Sequence, residues 1–326
     1  MRNVTEVLYM RMTVMNKKIF AVFIILILLI QLSGCSHEQT EDIVIIFTND
    51  VASAVEGDVG YAGVKGFKNE LEQENKFVAL VDAGDFLDGQ LSVDSKGQKI
   101  VEIMNAVGYD AAVIGNQEFS MGIDVLEKCI SKSDFTYLSC NMQYFGKVKN
   151  RLSKVKPYLI KNFGGTKVAF IGVTTPETLI PGKPAYNAIL EDGEPAFDFC
   201  SGNGGQDLYD QVQKTVNKVR KKVDYVILLA HLGTFSVTEG FSSYEVIGNT
   251  SGIDIVIDGH AHAAISGELV INKEGEDVLL TSTGEKLQNV GIMQIHPDRS
   301  VTTLLYPMAY QKDEKIEELV SSLLSE

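Results

Sequence analysis

Five runs of apolar residues in the sequence are each followed closely by a side chain that can bind a metal ion. In chain order these side chains are Asp50, Asp85, Asn116, His231 and the pair His260 and His262. Carboxylates, amide oxygens and imidazoles together suit borderline divalent metals such as Mn, Zn, Fe or Co. Two such ions that share a carboxylate clamp a phosphoryl group and activate water. These residue types therefore predict a site for one or two divalent metal ions and hydrolysis at phosphorus.

Each of these residues, taken alone, has an ordinary structural explanation. Asp50 is typical of a turn, and Asn116 is typical of a loop cap. A single histidine that follows a strand is typical of a surface residue. The chain has only five histidines, however, and three of them fall at these positions. Because all the groups follow apolar runs in the same way, the pattern as a whole favours one shared site.

The pattern of apolar residues also predicts the elements that position these side chains. Strands are predicted at 43–47, 77–81, 111–114, 136–139, 158–162, 167–173, 225–230, 254–257, 268–271, 278–282, 290–295 and 302–306. Helices are predicted at 64–74, 98–107, 121–131, 208–222, 243–249 and 313–324. Since α/β sheets bind ligands outside the carboxyl ends of their strands, the predicted strands would bring the five groups to one edge.

The order of these elements predicts an α/β fold. Alternating strands and helices lead into antiparallel strands, which is typical of a layered sandwich in which helices cover two sheets. The segment 174–206 is too long for a plain connection, and we interpret it as a lid or an insertion. Its glycine-rich residues 202–205 lack the Gly-Lys-Ser/Thr ending of a phosphate-binding loop and predict only a flexible turn.

The first 35 residues are predicted to be a secretory signal. Lys17 and Lys18 precede an apolar run at 19–30, which Leu-Ser-Gly-Cys closes at 32–35. A basic start, a short apolar core and small residues at the end are typical of such signals. The ending resembles the lipobox of bacterial lipoproteins, which implies an extracytoplasmic chain anchored to the cell membrane by a lipid on Cys35. The alternative interpretation is an uncleaved membrane anchor.

Length, charge and cysteine content restrict the remaining chain. The sequence has 326 residues and a formal net charge of −14, and it contains no basic block, so a nucleic-acid-binding surface is not expected. After a short linker at 36–41, the rest is long enough for one large domain. Cys129, Cys140 and Cys200 match no zinc-binding spacing and are interpreted as small buried side chains, with one disulfide as the alternative.

The polar groups lie in five short segments: TND at 48–50, GD at 84–85, GN.E at 115–118, AHLG at 230–233 and DGHAH at 258–262. In this order they resemble the motifs of calcineurin-like metallophosphoesterases, and more narrowly those of the 5'-nucleotidase and UDP-sugar hydrolase family. The segments VDAGDFLDG and TSGIDIVIDGHAH support the narrower resemblance, which covers about residues 42–325. The resemblance implies a four-layer α-β-β-α sandwich at 42–311 that hydrolyses phosphoric esters.

The resemblance also implies roles for individual residues. Asp85 would bridge two metals. The second metal would be completed by Asn116, His231 and His260, and the first metal would be served by Asp50 and His262. Asn116, His262 and the residue at position 117 would take part in catalysis.

Two motifs depart from the family pattern. The first motif of the family is Asp-x-His, whereas here Ala52 stands in place of the histidine and offers no donor atom. The family's Gly-Asn-His-Glu has Gln117 in place of its histidine, and Ser120 stands where an Asp often orients that histidine. Gln117 can donate a hydrogen bond but carries no proton at neutral pH. Both departures predict impaired catalysis.

A third difference concerns the end of the chain. The 5'-nucleotidases continue into a domain that grips the nucleoside between aromatic rings. This sequence ends at Glu326, and residues 312–326 resemble the helix that leads to that domain. No nucleoside-binding residue is therefore carried over, and a separate chain that supplies such a domain is a candidate partner.

These observations leave three functions to compare. The main prediction is a metal-dependent phosphomonoesterase that acts on a nucleotide-like phosphorylated small molecule in nucleotide catabolism. The alternative from another class is a catalytically degenerate lipoprotein that binds a metal, a phosphate or a partner. The alternative within the same class is a phosphodiesterase that acts on UDP-sugars or cyclic nucleotides.

Overall fold

A computed structural model describes residues 41–309 and 311–325, so the predicted signal sequence and Cys35 lie outside the described residues. The strands are β1 (Ile43–Thr48), β2 (Phe77–Asp82), β3 (Ala111–Val113), β4 (Thr136–Leu138), β5 (Gln143–Tyr144), β6 (Tyr158–Phe163), β7 (Thr166–Thr174), β8 (Leu190–Glu191), β9 (Glu194–Pro195), β10 (Phe197–Asp198), β11 (Tyr225–His231), β12 (Ile255–Asp258), β13 (Ala264–Ile271), β14 (Asp277–Thr283), β15 (Val290–Ile295) and β16 (Val301–Tyr306). The helices are α1 (Gly60–Glu74), α2 (Gln90–Ser95), α3 (Gln98–Val107), α4 (Ile123–Lys132), α5 (Pro184–Ala188), α6 (Gln206–Arg220), α7 (Ser243–Asn249) and α8 (Glu314–Ser325). Turns of 3₁₀ helix occupy Gln117–Phe119, Pro176–Leu179 and Asn203–Gly205.

Two six-stranded sheets form the centre of the fold. The first has the strand order β16-β15-β1-β2-β3-β4. Strands β1 to β4 are parallel to one another, β15 pairs antiparallel with β1, and β16 pairs antiparallel with β15. The second has the order β13-β14-β12-β11-β7-β6, with β7, β11, β12 and β14 parallel and an antiparallel strand at each edge. The carboxyl ends of the parallel strands within each sheet therefore lie at one edge.

The central strands are apolar throughout because both of their faces are buried. In β1, Ile43, Ile45 and Phe47 pack between the two sheets, whereas Val44 and Ile46 pack under helices. Successive strand side chains point to opposite faces, so one strand contributes to two layers of core. A third apolar cluster joins the second sheet to α6 and α7. The predicted four-layer α-β-β-α sandwich is confirmed.

The chain after β16 returns to the helical layer of the first sheet. Helix α8 buries Ile316, Val320 and Leu323 against α1 and α3. Asp313, just before the helix, accepts a hydrogen bond from Asn69 at 2.8 Å. The helix predicted at 313–324 is thus present as Glu314–Ser325, and in this structure it packs on the domain.

The cysteines of the domain are buried, as predicted. Cys129, Cys140 and Cys200 are all free thiols, so the alternative of a disulfide is not realised in this structure. Among residues 41–309 and 311–325, no helix combines the length and the apolar composition that a membrane span requires.

The structure differs from the sequence-based prediction mainly in its short elements. The helix predicted from residue 121 begins at Ile123, because Gly122 has φ of +93°. Residues 174–206 are not a plain loop but contain two 3₁₀ turns, α5 and the short strands β8 to β10. Ile189, Phe197 and Phe199 of this segment are buried. Elements of two to five residues are too short to show a period in the sequence.

Candidate metal centre

The structure brings Asp85, His231 and His260 together at the carboxyl ends of β2, β11 and β12. One potential ligand atom from each lies within 4.8 Å of the others. Nε2 of His231 lies 3.1 Å from Oδ2 of Asp85, and the two imidazole rings have centroids 5.1 Å apart. His231 is fully buried and Asp85 nearly so. A carboxylate and two imidazoles thus face one another in a space that water barely reaches.

Two buried atoms beside this group lack a hydrogen-bond partner among the described residues. One is Oδ1 of Asn116, and the other is Nε2 of His231. The His231 nitrogen is close to Asp85 but is not aligned for a hydrogen bond with it. Leaving buried polar atoms unpaired is costly, so such atoms require an explanation. The amide oxygen of Asn116 has lone pairs, and the imidazole nitrogen of His231 offers one when its proton is displaced by a divalent cation. With an oxygen of Asp85 and a nitrogen of His260, they form a donor set of two oxygens and two nitrogens.

Nδ1 of His231, the ring nitrogen that does not face Asp85, is fixed by the backbone. Nδ1 lies 2.7 Å from the carbonyl oxygen of Ala83, so this nitrogen is a donor, and Nε2 is the nitrogen that faces Asp85 and that a metal would bind in place of its proton. Metal-ligating histidines are typically held in this way by an acceptor on the outer nitrogen. Burial disfavours the charged imidazole, but the Asp85 carboxylate outweighs it, and the pKa of His231 rises to about 10. Burial likewise opposes the charge of Asp85, and His231 nonetheless lowers the pKa of that carboxyl.

His260 is held by a residue that the sequence analysis missed. Nε2 of His260 lies 3.0 Å from Oε2 of Glu177, and the other carboxylate oxygen accepts from the amide of Thr238 at 2.9 Å. The Glu177 carboxylate is nearly buried, which opposes its charge, yet the hydrogen bond from His260 lowers its pKa. Glu177 comes shortly after the end of β7, a parallel strand like the others at this edge. Its position after an apolar run was the signal that could have found it.

Glu118 connects the loops that carry Asp85 and Asn116. Its carboxylate is fully buried and accepts from the backbone amides of Asp85 at 3.0 Å, Leu87 at 2.9 Å and Gly115 at 2.7 Å. Burial raises the pKa of Glu118 to about 7. A side chain at Gly115 would place its Cβ 2.2 Å from Oδ1 of Asp85, so only glycine allows this approach. The motif residues 115 and 118 therefore shape the centre without belonging to it.

Asp50 and His262 lie together but outside the group of three. Oδ2 of Asp50 accepts from the amide of His260 at 2.9 Å and from Asn49 at 2.7 Å. Its Oδ1 faces Nε2 of His262 at 3.4 Å, and Nδ1 of His262 is 3.4 Å from Glu285. The hydrogen bond with Asp50 raises the pKa of His262, whose side chain is 51% exposed. This half of the predicted site is more open than the other half.

The two departures from the family pattern lie at the same edge. Ala52 donates its backbone amide to the carbonyl of Asp85 at 3.2 Å and has φ of +47°. Gln117 donates its backbone amide to Oδ1 of Asp85 at 2.8 Å, and its side-chain oxygen accepts from Ser120 at 2.7 Å. The structure thus places every sequence-predicted residue of the domain at this edge. Asp85, His231 and His260 form the compact group, with Asn116 beside them.

Comparisons with known proteins agree with the fold. The PGA_cap family, described as a bacterial capsule synthesis protein, matches residues 74–285, more than half of the chain. Snake venom 5'-nucleotidase of Gloydius brevicauda is 31% identical over 238 residues, which cover 68% of this chain and 37% of that protein. The trifunctional nucleotide phosphoesterase YfkN of Bacillus subtilis is 26% identical over 260 residues, covering 70% of this chain and 16% of YfkN. The chain therefore spans well under half the length of these relatives.

A solved structure gives the same picture of the fold. The 5'-nucleotidase precursor from Thermus thermophilus superposes with a TM-score of 0.72 at 22% identity. The match covers 87% of this chain and 58% of that one.

Proposed function

We propose that the chain, which belongs to the calcineurin-like metallophosphoesterases as a member of the PGA_cap family, hydrolyses phosphomonoesters of nucleotide-like compounds. It has the metallophosphatase domain of the 5'-nucleotidases. The observation that carries the proposal is the pair of unpartnered buried atoms, Asn116 Oδ1 and His231 Nε2, beside the Asp85 carboxylate. Such a donor set suits a divalent cation and has no evident role in packing.

The side chains at this edge divide into two sets around Asp85. Asn116, His231 and His260 would hold one metal with it, and Asp50 and His262 would hold a second. A bound divalent cation would neutralise charge on the phosphoryl oxygens and lower the pKa of a water molecule. Mn, Zn, Fe or Co would suit these nitrogen and oxygen donors.

The other residues prepare the centre for the substrate. Glu177 fixes the ring of His260, and Glu118 holds the two loops that present Asp85 and Asn116. Gln117, beside Asn116, has an amide group that can donate to a phosphoryl oxygen. Preorganised donors of this kind stabilise the charge that develops as phosphorus is attacked.

Ala52 and Gln117 reduce the expected rate. Ala52 removes one ligand from the metal that Asp50 and His262 would hold, and the loss of an orienting contact alone costs roughly 10- to 100-fold. Gln117 cannot transfer a proton, and loss of such a group costs on the order of 10²–10⁴ in rate. A degenerate module that binds one metal and a phosphate without turnover is therefore the second candidate, and these two residues are what favours it. A phosphodiesterase that acts on UDP-sugars or cyclic nucleotides is the alternative within the class.

The proposal includes the location of the enzyme. Leu-Ser-Gly-Cys at 32–35 supports lipidation of Cys35, which would keep the domain outside the cytoplasm and attached to the membrane. The domain itself would then meet phosphorylated small molecules in the extracytoplasmic space.

Metal content and hydrolysis together test the proposed function. We expect the purified full chain to contain one to two divalent metals by elemental analysis and to release phosphate from para-nitrophenyl phosphate when Mn²⁺ is present. Asp85→Asn should abolish both, whereas Asp277→Asn, at the opposite end of β14, should change neither. A chain that binds metal but hydrolyses no more ester than Asp85→Asn would support the binding module instead. A chain without metal would contradict both.

A further inference from the structure

A small cavity opens beside the metal centre. Its volume is about 230 Å³. The polar residues of its lining are Asn116, Gln117, Glu177, Lys183 and His260. Three of these residues, Asn116, Gln117 and His260, belong to the candidate centre itself. The cavity and the centre are therefore parts of one continuous site.

The far wall of the cavity comes from two segments outside the motifs. Residues 176–188, with the 3₁₀ turn and α5, contribute Ile180, Pro184 and Ala185, and the loop after β11 contributes Val237. These four side chains are apolar. The carboxylate of Glu177 repels a bound anion less than a free carboxylate would, because it is hydrogen-bonded to His260 and to the amide of Thr238. The interior thus suits an uncharged organic group.

Lys183 is the one cationic residue in the lining. Its side chain is exposed, and within residues 41–309 and 311–325 no carboxylate lies at ion-pair distance from its ammonium group. Ion pairs with carboxylates involve only five lysines of the described residues, so what distinguishes Lys183 is its position beside the candidate phosphate site. An ammonium group there attracts a second negative charge on a bound ester.

The size of the cavity limits the ester. Pockets that enclose drug-sized ligands typically hold about 300–1,000 Å³. At about 230 Å³, this cavity is smaller than that range and takes a single compact group. A nucleoside with both ring and sugar would extend past its rim.

We propose that this cavity is a leaving-group subsite, built by residues 176–188 and Val237, that selects compact phosphomonoesters with an apolar body and a second anionic group facing Lys183. A phosphoryl group at Asn116 and His260 would project its ester substituent between Ile180 and Val237. The inference rests on the proposed phosphomonoesterase activity and narrows the substrate of the same site from nucleotide-like compounds to smaller esters.

Binding of two inert probes to the metal-loaded full chain tests the subsite. Phenylphosphonate and para-carboxyphenylphosphonate differ only in a second negative charge, and titration calorimetry measures their affinities without turnover. We expect the carboxylated probe to bind roughly fivefold more tightly, as a partly exposed charge pair would provide. Lys183→Gln should remove this difference. Lys273→Gln makes the same change of charge in the turn between β13 and β14, away from the site, and should preserve it.

A second variant examines the apolar wall. Val237 is 85% exposed, so Val237→Asp does not endanger the fold, and it should weaken both probes by at least about threefold. Equal affinity of the two probes, or a difference that persists in Lys183→Gln, would overturn the inference, as would failure of either probe to bind. Hydrolysis of phenyl phosphate is measured in parallel. If phenyl phosphate is not hydrolysed while probe binding still depends on Lys183, the proposed function is contradicted and the inference about the subsite stands.

Discussion

Glu177 and His260 come from different segments of the chain and share a hydrogen bond of 3.0 Å between Oε2 and Nε2. Because Nε2 is occupied by Glu177, the ring presents Nδ1 as its free nitrogen, and His260 belongs to the group formed with Asp85 and His231. His231 is held in the corresponding way by the carbonyl of Ala83. Both imidazoles of the centre thus have one nitrogen anchored and the other available to a metal.

Removing the carboxylate of Glu177 should weaken metal binding. In Glu177→Ala, the ring of His260 loses its anchor, and we expect the Mn²⁺ affinity to fall by roughly 10- to 100-fold in titration calorimetry. Glu177→Gln retains an oxygen that accepts from Nε2–H and should recover part of the loss. Glu274→Ala, in an exposed turn, serves as the control and should bind normally. A Glu177→Ala variant with unchanged affinity and only a lower metal-free melting temperature would show a merely structural role.

The layers of the fold were accessible from the sequence because its long elements are strongly patterned. The helices α3 and α7 and the strand β15 have the predicted bounds, and each has a continuous apolar face or run. The buried strands β1 and β2 were recognisable since apolar residues occupy both of their faces. Ligand placement followed from the rule that parallel strands end at one edge.

The contacts that finish the centre were not accessible in the same way. The apolar run of β7 could have placed Glu177 at this edge of the sheet. Its contact with His260 could not be predicted, because Glu177 lies in a four-residue 3₁₀ turn inside a segment without periodicity. Glu285 reaches His262 from the loop between β14 and β15, again over a distance that sequence spacing does not encode. Such contacts depend on tertiary packing, whereas motif spacing reports only what lies on one element.

Metal binding should stabilise the fold through His260. A metal that binds only the folded state at 100 times its dissociation constant adds about 2.7 kcal/mol, which corresponds to a shift of roughly 5–10 °C in a domain of this size. We therefore expect EDTA to lower the melting temperature of the parent by that amount and to leave His260→Ala unaffected. His296→Ala, which removes a hydrogen bond with Asp42 far from the centre, should still respond. A parent insensitive to EDTA would contradict the metal site.

The three buried thiols should be inert in the native protein. Burial raises the pKa of Cys129 to about 11, of Cys140 to about 12 and of Cys200 to about 11. Because the thiolate is the reactive form, only about 10⁻³ or less of each thiol is reactive at pH 8. Native protein should react slowly with iodoacetamide at pH 8, and unfolded protein should label all three. Labelling of fewer than three after unfolding would indicate a disulfide.

Lipidation at Cys35 should determine how the protein partitions. We expect the parent, expressed in bacteria, to enter the detergent phase and to show a lipid-modified N-terminus by intact mass. Cys35→Ala should remain unprocessed or be released in aqueous form, because the acceptor of the lipid is gone. Ser36→Ala keeps the acceptor and should behave as the parent does. An unmodified N-terminus on the parent would refute the lipoprotein proposal.

The strongest test of the impaired centre is its repair. Ala52→His would return a ligand to the metal held by Asp50 and His262, and the φ of +47° at position 52 is one that histidine accepts more readily than most residues. Gln117→His would return a proton-carrying group beside Asn116. Ser120 donates its hydroxyl to the Gln117 side chain at 2.7 Å but has no carboxylate with which to orient the new ring, and this limits the expected gain.

Each deficit is expected to cost about 1.4 kcal/mol or more, which is tenfold in rate, so the double substitution should raise hydrolysis of para-nitrophenyl phosphate by at least roughly 10²-fold. An aryl phosphate is the suitable substrate because it requires no nucleoside contacts. The two gains need not add, since both side chains act on one phosphoryl group; the single variants measure this directly. A double variant that binds two metals by elemental analysis yet stays inactive would place the defect elsewhere. A parent that already hydrolyses the ester as fast as the double variant would show that Ala52 and Gln117 do not limit the enzyme.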